Sequence, residues 1–346
     1  MKILHLCPLW FPMSQDAPGG RETFLTRLIV ELKKLGVENT LLASGDSCTT
    51  AEVWPVVPHS IGLQMADGAV WEYDYYEQHQ LYLALQHAAE FDLIHSHIGH
   101  GAYLLSGALE GKTPVLHTLH TPVYRDLAWF VRQHTNMWFS TVSESQARQL
   151  WEQGLTRCQT IPNGIEVTDF TFQPQSQEGL IFLGRMEWGK GPDIAIQVAR
   201  TLGRPLILAG PIVEKDFFAS AIEPCLDDQI QYVGVVDHRR KNELLGQAGC
   251  IILPVRHAES FGLVSIEAMA CGTPVVALAN GALPEIIEPG LSGYLTPDEA
   301  ALAPLVIQAL QLDRSAIRAR VAMRFSIAVV AKKYRQLYER IIALPY

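Results

Sequence analysis

The sequence predicts an α/β protein of two domains, each built on a parallel sheet. Three observations carry that prediction. Short apolar runs alternate with stretches of helical periodicity along the chain, the pattern of repeated strand–helix–strand units. Glycines follow the first apolar run of each series, where a strand turns into a helix. A polar stretch, residues 169–179, parts the two series. With 346 residues the chain is too long for one ordinary domain and comfortable for two, and 48% hydrophobic against 18% charged residues supplies ample core.

In the first series, residues 2–7 read as a short strand. Residues 8–20 are rich in Pro and Gly and close on Pro18-Gly19-Gly20. From residue 23 to 35, Phe24, Leu28 and Leu32 share one helical face, and Gly36 stops the helix. Residues 38–44 complete a βαβ unit. Gly19 and Gly20 thus stand at the first strand-to-helix turn, where a backbone without side chains can come close to a phosphate or a sugar. Residues 46–80 lack clear periodicity and carry Trp54, Trp71, Tyr73, Tyr75 and Tyr76, either a packed surface loop or a wall facing an acceptor. Helical pattern resumes over 78–91.

The next strand, from Asp92, ends in His95-Ser96-His97. Alternate residues on a strand share a face, so the two rings could hold a metal, yet no third ligand stands at a plausible spacing. Strand-end hydrogen bonding is the preferred reading, with His97 lining an acceptor site. Residues 114–119 form another strand and place His120 at its carboxyl end, where α/β sheets bind ligands. His117 is out of register with His120 and reads as packing. Residues 138–142 are a strand, Ser143 caps a helix over 144–152, and Asn163-Gly164 is a turn signal.

The second series opens on Leu180-Ile-Phe-Leu-Gly184-Arg185 and continues through Gly189-Lys190-Gly191 into a helix. Two cations beside a glycine loop at a strand's carboxyl end suit a diphosphate. Core strands follow near residues 205–209, 230–234 and 250–254. After the last of them comes Glu259-Ser260-Phe261-Gly262-Leu263, then a largely apolar helix containing Ile266, Glu267 and Met269, then Gly272, Pro274 and another apolar run. Ser260 is the expected helix cap, and Gly272 with Pro274 the stop. The helix amino terminus offers free N–H groups to phosphate. Glu267, within an apolar helix, needs a partner, and a ligand's paired hydroxyls would serve. Residues 298–311 and 313–344 read as helices, the last with a stripe of Val330, Tyr334, Leu337, Tyr338 and Ile341.

The block from Glu259-x7-Glu267 through Gly272-Thr-Pro-Val-Val-Ala277 resembles the signature of the retaining glycosyltransferases of family 4, GT-B enzymes that use nucleotide-sugar donors. Thr118-Leu-His120, Pro162-Asn163-Gly164, the Gly184-Arg185 and Lys190-Gly191 pairs and residues 278–287 resemble further elements of that family. The resemblance spans almost the whole chain, sharply over 160–290 and loosely over 46–110. It implies two Rossmann-like domains facing across a cleft: an acceptor domain at 1–170, a nucleotide-sugar domain at 171–325, and a final helix, 326–346, crossing back to the first.

The resemblance also implies residue roles. His120, Glu259, Arg185 and Lys190 would act in catalysis. Gly19, Gly20, Arg185, Lys190, Glu259, Ser260, Phe261, Gly262, Leu263 and Glu267 would bind the donor. Glu267 would hold ribose hydroxyls, Glu259 the transferred sugar, and Arg185, Lys190 and the N–H groups of 261–263 the diphosphate. His120 would orient the sugar and contact phosphate. The implied reaction is retaining transfer of a hexose from a nucleotide-diphospho sugar, a UDP-sugar first, to a hydroxyl of a soluble small molecule or glycan, with no metal and no cofactor. Alternatives are a GT-B nucleotide-sugar epimerase and a catalytically silent nucleotide-sugar-binding protein.

Other classes are disfavoured. No GxxxxGK[ST] occurs and no GxGxxG follows either first strand, against NTP hydrolysis and dinucleotide binding. No apolar run reaches about 18 residues, so no membrane-spanning helix is expected. Residues 1–172 carry 10 Lys+Arg against 18 Asp+Glu, which argues against nucleic acid or anionic lipid as partners. Six scattered cysteines without a CxxC, and a start that reads as a strand, point to reduced thiols in the cytoplasm.

Overall fold

The computed structural model describes residues 1–17, 19–175 and 178–344; Pro18 of the glycine turn, residues 176–177 of the polar stretch and 345–346 lie outside the described residues. The chain forms two compact units. The first takes residues 1–164 and returns for the segment from Ile327; the second is Ile165–Ser326.

Among the described residues the first unit holds seven strands: β1 (Lys2–Leu6), β2 (Glu38–Ser44), β3 (Glu52–Val57), β4 (Leu93–Ser96), β5 (Val115–Leu119), β6 (Trp138–Thr141) and β7 (Cys158–Thr160). They pair in parallel in the order β3-β2-β1-β4-β5-β6-β7. The second unit holds β8 (Leu180–Leu183), β9 (Leu206–Ala209), β10 (Ile230–Tyr232), β11 (Cys250–Leu253), β12 (Val275–Leu278) and β13 (Gly293–Thr296), also parallel, in the order β10-β9-β8-β11-β12-β13. Both are doubly wound Rossmann-like sheets. In each, chain order reverses beside the first strand, between β1 and β4 and between β8 and β11. Ligands of such sheets bind at the carboxyl ends of the strands at this switch point.

The core follows from patterning. β1, β2, β4 and β5 are buried along nearly their whole length, as parallel strands covered on both faces must be. Helix Gly20–Lys34 presses Phe24, Leu25, Leu28, Ile29 and Leu32 onto one face of that sheet. Helix Ile327–Ile342 adds Val330, Tyr334, Leu337, Tyr338 and Ile341 to the same cluster, the stripe expected from the sequence. Ser143 caps its helix as expected, its hydroxyl accepting from the Gln146 N–H.

Three elements differ from expectation. Helix Gly20–Lys34 starts at Gly20 rather than residue 23, with Gly19 as its cap. The aromatic stretch 46–80 contains β3, helix Ile61–Ala66 and the start of helix Asp74–His87, elements too short or too polar for periodicity to reveal. The single helix expected over 313–344 is two, Arg314–Phe325 and Ile327–Ile342, broken at Ser326 (φ −63°, ψ 140°). There the Ile165 N–H donates to the Phe325 carbonyl at 2.9 Å and Ile165 bridges Ser326 in parallel. The apolar period runs through Ser326 unbroken, so only this distant pairing shows the break. The unit boundaries therefore fall at 164/165 and 326/327, against the expected 170/171 and 325/326.

Candidate active site

In the second unit the two adjacent strands at the switch point, β8 and β11, each open into a functional loop. The β8 loop runs from Gly184 through a 3-10 turn, Trp188–Lys190, to Gly191, which caps helix Pro192–Leu202 with φ 72° and ψ 36°. A Cβ at Gly191 would stand 2.3 Å from the Pro254 carbonyl oxygen, so glycine is what lets this loop lie against the β11 exit. Arg256 locks the two loops together. Its N–H donates to the Gly189 carbonyl (2.9 Å), its guanidinium donates to the Trp188 carbonyl (2.8 Å) and, bidentately, to Asp193 (2.9 and 2.7 Å).

This bracing brings Lys190 to Glu259: Nζ donates to Oε2 at 2.5 Å, with both side chains mostly buried. The Glu259 backbone is clamped from a third loop. The Ala282 N–H donates to the Glu259 carbonyl (2.9 Å), and a Cβ on Gly281 (φ +61°) would stand 2.3 Å from that same oxygen. Asn280 Nδ2 donates to the Val255 carbonyl at 2.6 Å. Arg185 is half exposed and pairs with Glu187 at 2.9 Å, so its guanidinium remains open to solvent at the loop.

Helix Leu263–Ala270 begins at Gly262, whose left-handed φ 88° and ψ 55° turn the chain into it. Ser260 does not cap the helix, which corrects the sequence expectation: Gly262 occupies the cap position two residues later, and no side chain satisfies the first turn. The Ser265 N–H turns back to the Gly262 carbonyl at 2.9 Å, while among the described residues the Leu263 and Val264 N–H groups have no protein acceptor, as an anion site requires. Phe261 is buried and lies edge-on to Phe325 at 6.0 Å, so its side chain packs and only its backbone faces the loop. Glu267 also differs from expectation. It already has a protein partner, Lys241 of helix His238–Gln247, whose Nζ donates to Oε1 at 2.6 Å. Nothing in the sequence near Glu267 signals Lys241, which arrives from the preceding helix.

In the first unit the carboxyl ends of β1, β4 and β5 gather His5, His97 and His120. His97 is 1% exposed, with Nε2 3.3 Å from His5 Nδ1 and Nδ1 3.3 Å from His120 Nε2. Its expected place on an acceptor-binding wall is corrected: both ring nitrogens point inward, and burial leaves no face for a ligand. His95 Nδ1 meets the Tyr338 hydroxyl (2.7 Å) and Nε2 the Thr118 hydroxyl (2.6 Å). The third member of a possible metal cluster, missed in the sequence, is His5, with ring nitrogens of His5, His95 and His97 within 4.8 Å of one another. His117 packs as expected, against Tyr103 and Phe139. Burial pushes the pKa of each of these rings down, to about 4 for His5, and for His120 the nearby Arg21 charge adds to the effect.

Gly19 does leave room for a close approach, but to protein: a Cβ there would stand 2.0 Å from the Glu22 carboxylate. Beside it a pocket of about 220 Å³ is lined by Pro8, Trp10, Arg21, Tyr73, Glu77 and Gly99, at the carboxyl ends of β1 and β4. Of the aromatic stretch only Tyr73 lines it; Trp54 packs on Phe91, and Trp71 is exposed. A larger pocket, about 710 Å³, is lined in good part by residues 113–115 and 133–138, which enter β5 and β6 at their amino ends. Parallel sheets place chemistry at the other end, so the smaller pocket is the better site despite its size.

Residues 168–334 match the family description "Glycosyl transferases group 1", and residues 18–169 match "Glycosyltransferase Family 4". The chain belongs to glycosyltransferase family 4. Among curated relatives of this glycosyltransferase, a phosphatidyl-myo-inositol mannosyltransferase of Mycobacterium leprae is 26% identical over 99% of this chain and 97% of its own. A D-inositol 3-phosphate glycosyltransferase of Mycolicibacterium smegmatis is also 26% identical, covering 84% of this chain and 78% of its own. Solved structures share the GT-B fold. Sucrose-phosphate synthase of Thermosynechococcus elongatus superposes with a TM-score of 0.79 at 20% identity, covering 99% of both chains. Anabaena HepE, solved with UDP and glucose, gives 0.73 at 20% identity over 98% of this chain and all of its own.

For this glycosyltransferase, then, the second unit brings Arg185, Lys190, Ser260, Gly262, Leu263, Glu259 and Glu267 to one end of one sheet. What the sequence did not show is the brace behind them: Arg256 with Asp193, Asn280 with Gly281, and Lys241. Each is a single polar residue or glycine whose partner lies on another loop or helix.

Proposed function

We propose that the protein transfers a hexose, with retention, from a nucleotide-diphospho sugar to a hydroxyl of a soluble acceptor. The observation that carries the reading is the pair of Lys–Glu contacts around an uncapped helix start at the β8/β11 switch point. In such a reaction the anomeric carbon becomes cation-like while the departing diphosphate gains charge. Lys190, Arg185 and the first-turn N–H groups supply positive potential for that diphosphate. Glu259, held by Lys190 and clamped at its backbone, takes the transferred sugar's hydroxyls beside the reacting carbon. Glu267 takes the ribose diol through the carboxylate that Lys241 orients.

UDP is the proposed nucleotide, and the UDP and glucose bound by Anabaena HepE are in keeping with it. The acceptor is proposed to bind in the first unit, in the pocket of Arg21, Tyr73 and Glu77, where a cation and a carboxylate suit a hydroxylated ligand. The cationic side chains are proposed to stand in for a metal, so turnover should survive EDTA. No helix of the described residues is long and apolar enough to cross a membrane.

A thermal-shift screen with UDP-, GDP- and ADP-sugars, followed by turnover with the donor that stabilises, tests the reading, since a ligand bound by the native state raises stability by mass action. Stabilisation by a UDP-sugar with transfer to a hydroxyl acceptor is the expected result. Inversion at the anomeric carbon, or release of an epimerised free sugar, would overturn it.

A further inference from the structure

Three neutral histidines and one amide form a chain of hydrogen bonds with a single possible direction. It starts at Asn39, on β2. The Asn39 Nδ2 donates to the Val37 carbonyl at 3.0 Å, and a carbonyl can only accept, so the amide cannot be turned round. Its Oδ1 must then accept, and His5 Nε2–H donates to it at 2.9 Å. His5, neutral with its proton on Nε2, has Nδ1 as an acceptor, and His97 Nε2–H donates to it at 3.3 Å. The proton of His97 is thus spent on Nε2, its Nδ1 accepts, and His120 Nε2–H donates there at 3.3 Å. Among the described residues His120 Nδ1 has no protein partner, and the ring is partly exposed.

We infer that Asn39, His5 and His97 are positioning residues that hold His120 in its Nε2–H tautomer, so that Nδ1 offers a lone pair to a ligand hydroxyl at the carboxyl end of β5. The hydroxyl rests on the glycosyl-transfer reading; the tautomer does not. A lone pair cannot bond a phosphate oxygen at neutral pH, so the polarity of the chain excludes the phosphate contact that the family resemblance suggested for His120. Burial supports the neutral forms: a ring charged within this cluster would be desolvated, and the pKa of each is lowered accordingly. The nearby His95 does not enter the chain, since the Tyr338 and Thr118 hydroxyls take both its nitrogens. Tautomer control of this kind is how a histidine's partner sets which nitrogen can act.

The closeness of His5, His95 and His97 would also admit a metal ion, but every ring nitrogen of the three already has a partner inside the protein. The chain and a metal compete for the same lone pairs, so one test separates them.

The experiment is a long-range proton–nitrogen correlation spectrum of histidine-labelled protein at pH 7.5, with the His120 signals assigned from their loss in His120→Gln. Free protein should show His120 protonated on Nε2 alone, and addition of UDP should leave that tautomer unchanged. A Nδ1–H tautomer or an imidazolium in either state overturns the inference. So does stoichiometric Zn²⁺ uptake that is lost in His5→Phe. In His5→Phe, His97 loses its acceptor, so a Nδ1–H population should appear at His120 while kcat falls about tenfold, the scale of one misdirected hydrogen bond, and the donor KM changes less than twofold. A fall in kcat with the His120 tautomer intact would make His5 merely structural and overturn its role. Should that variant fail to fold, the wild-type spectrum alone decides. The spectrum needs no turnover, so it can stand or fall apart from the proposed reaction.

Discussion

Glu267→Gln is the perturbation that most directly tests the donor site. Glu267 is the fifth residue of helix Leu263–Ala270, which places its Cα about 7.5 Å along the axis from Gly262 at 1.5 Å per residue. A diphosphate at the helix start therefore puts the ribose, not the transferred sugar, within its reach. Lys241 fixes Oε1 at 2.6 Å. Glutamine keeps the volume and removes the charge, so a charge-assisted hydrogen bond to the ribose diol is lost, at about 1.5–3 kcal/mol, or roughly 10- to 150-fold in affinity. That contact exists in ground and transition states alike, so kcat should hold within about threefold at saturating donor. Leaving Lys241 without its counter-charge should lower stability by about 1–2 kcal/mol, between the values for exposed and buried pairs.

Calorimetry with UDP, beside steady-state kinetics, reads both quantities. Glu259→Gln is the comparison. It lies three residues before the helix cap and touches Lys190, so it should lower kcat and leave UDP affinity nearly unchanged. Lys241→Met should weaken UDP binding although the carboxylate remains, because the carboxylate then loses its orientation. UDP binding by Glu267→Gln at wild-type strength, or loss of UDP binding in Glu259→Gln alone, would refute the placement of diphosphate at this helix start.

Three further outcomes are expected. Arg185→Ala and Lys190→Ala should each cut kcat/KM by roughly 10²–10³, the scale for one preorganised stabiliser; half-exposed Arg185 should leave thermal stability nearly unchanged, whereas Lys190→Ala strips mostly buried Glu259 of its counter-charge and should cost about 1–2 kcal/mol; near-normal turnover in both would take them out of the site. Gly281→Ala should cost about 1–3 kcal/mol by denaturant melt and depress turnover, because its Cβ would stand 2.3 Å from the Glu259 carbonyl oxygen at φ +61°; an unchanged midpoint would show that this loop yields easily. The buried histidines set an acid limit. His5, His95, His97, His117 and His120 all have folded pKa values below the ordinary 6.5, so the unfolded chain binds more protons below that pH. Stability is therefore full above about pH 6.5 and falls as pH drops toward about 4 for His5 and about 3 for His117 and His120, by up to roughly 1.4 kcal/mol per pH unit for each ring. A Tm that stays flat from pH 7.5 to 5.0 would contradict this.

The family was legible because its signature is local. Glu259, Phe261, Gly262, Leu263 and Glu267 lie on one loop and one helix, and the chemistry of Gly184-Arg185 and Lys190-Gly191 lies on another, so chain order alone displays them. Strand alternation placed His117 in packing and His120 at a strand end for the same reason: a period of two is a property of the chain. The parallel sheets too could be read from the alternation of apolar runs and helices, because a parallel pair requires a crossover between its strands.

What only the tertiary structure decided are the partners. Lys241 reaches Glu267 from another helix, Gly281 presses on Glu259 from another loop, and His5 meets His97 from a strand 92 residues away. Ser260 looked like a cap because caps are chosen by residue type, yet glycine at 262 alone can take the left-handed turn that starts the helix there. Ser326 breaks a helix that its own neighbours would continue, because Ile165 takes the Phe325 carbonyl. Local periodicity fixes which residues share a face of one element. Which charge neutralises another, and which lone pair is left for a ligand, depends on distances between elements, and those exist only once the sheets have formed.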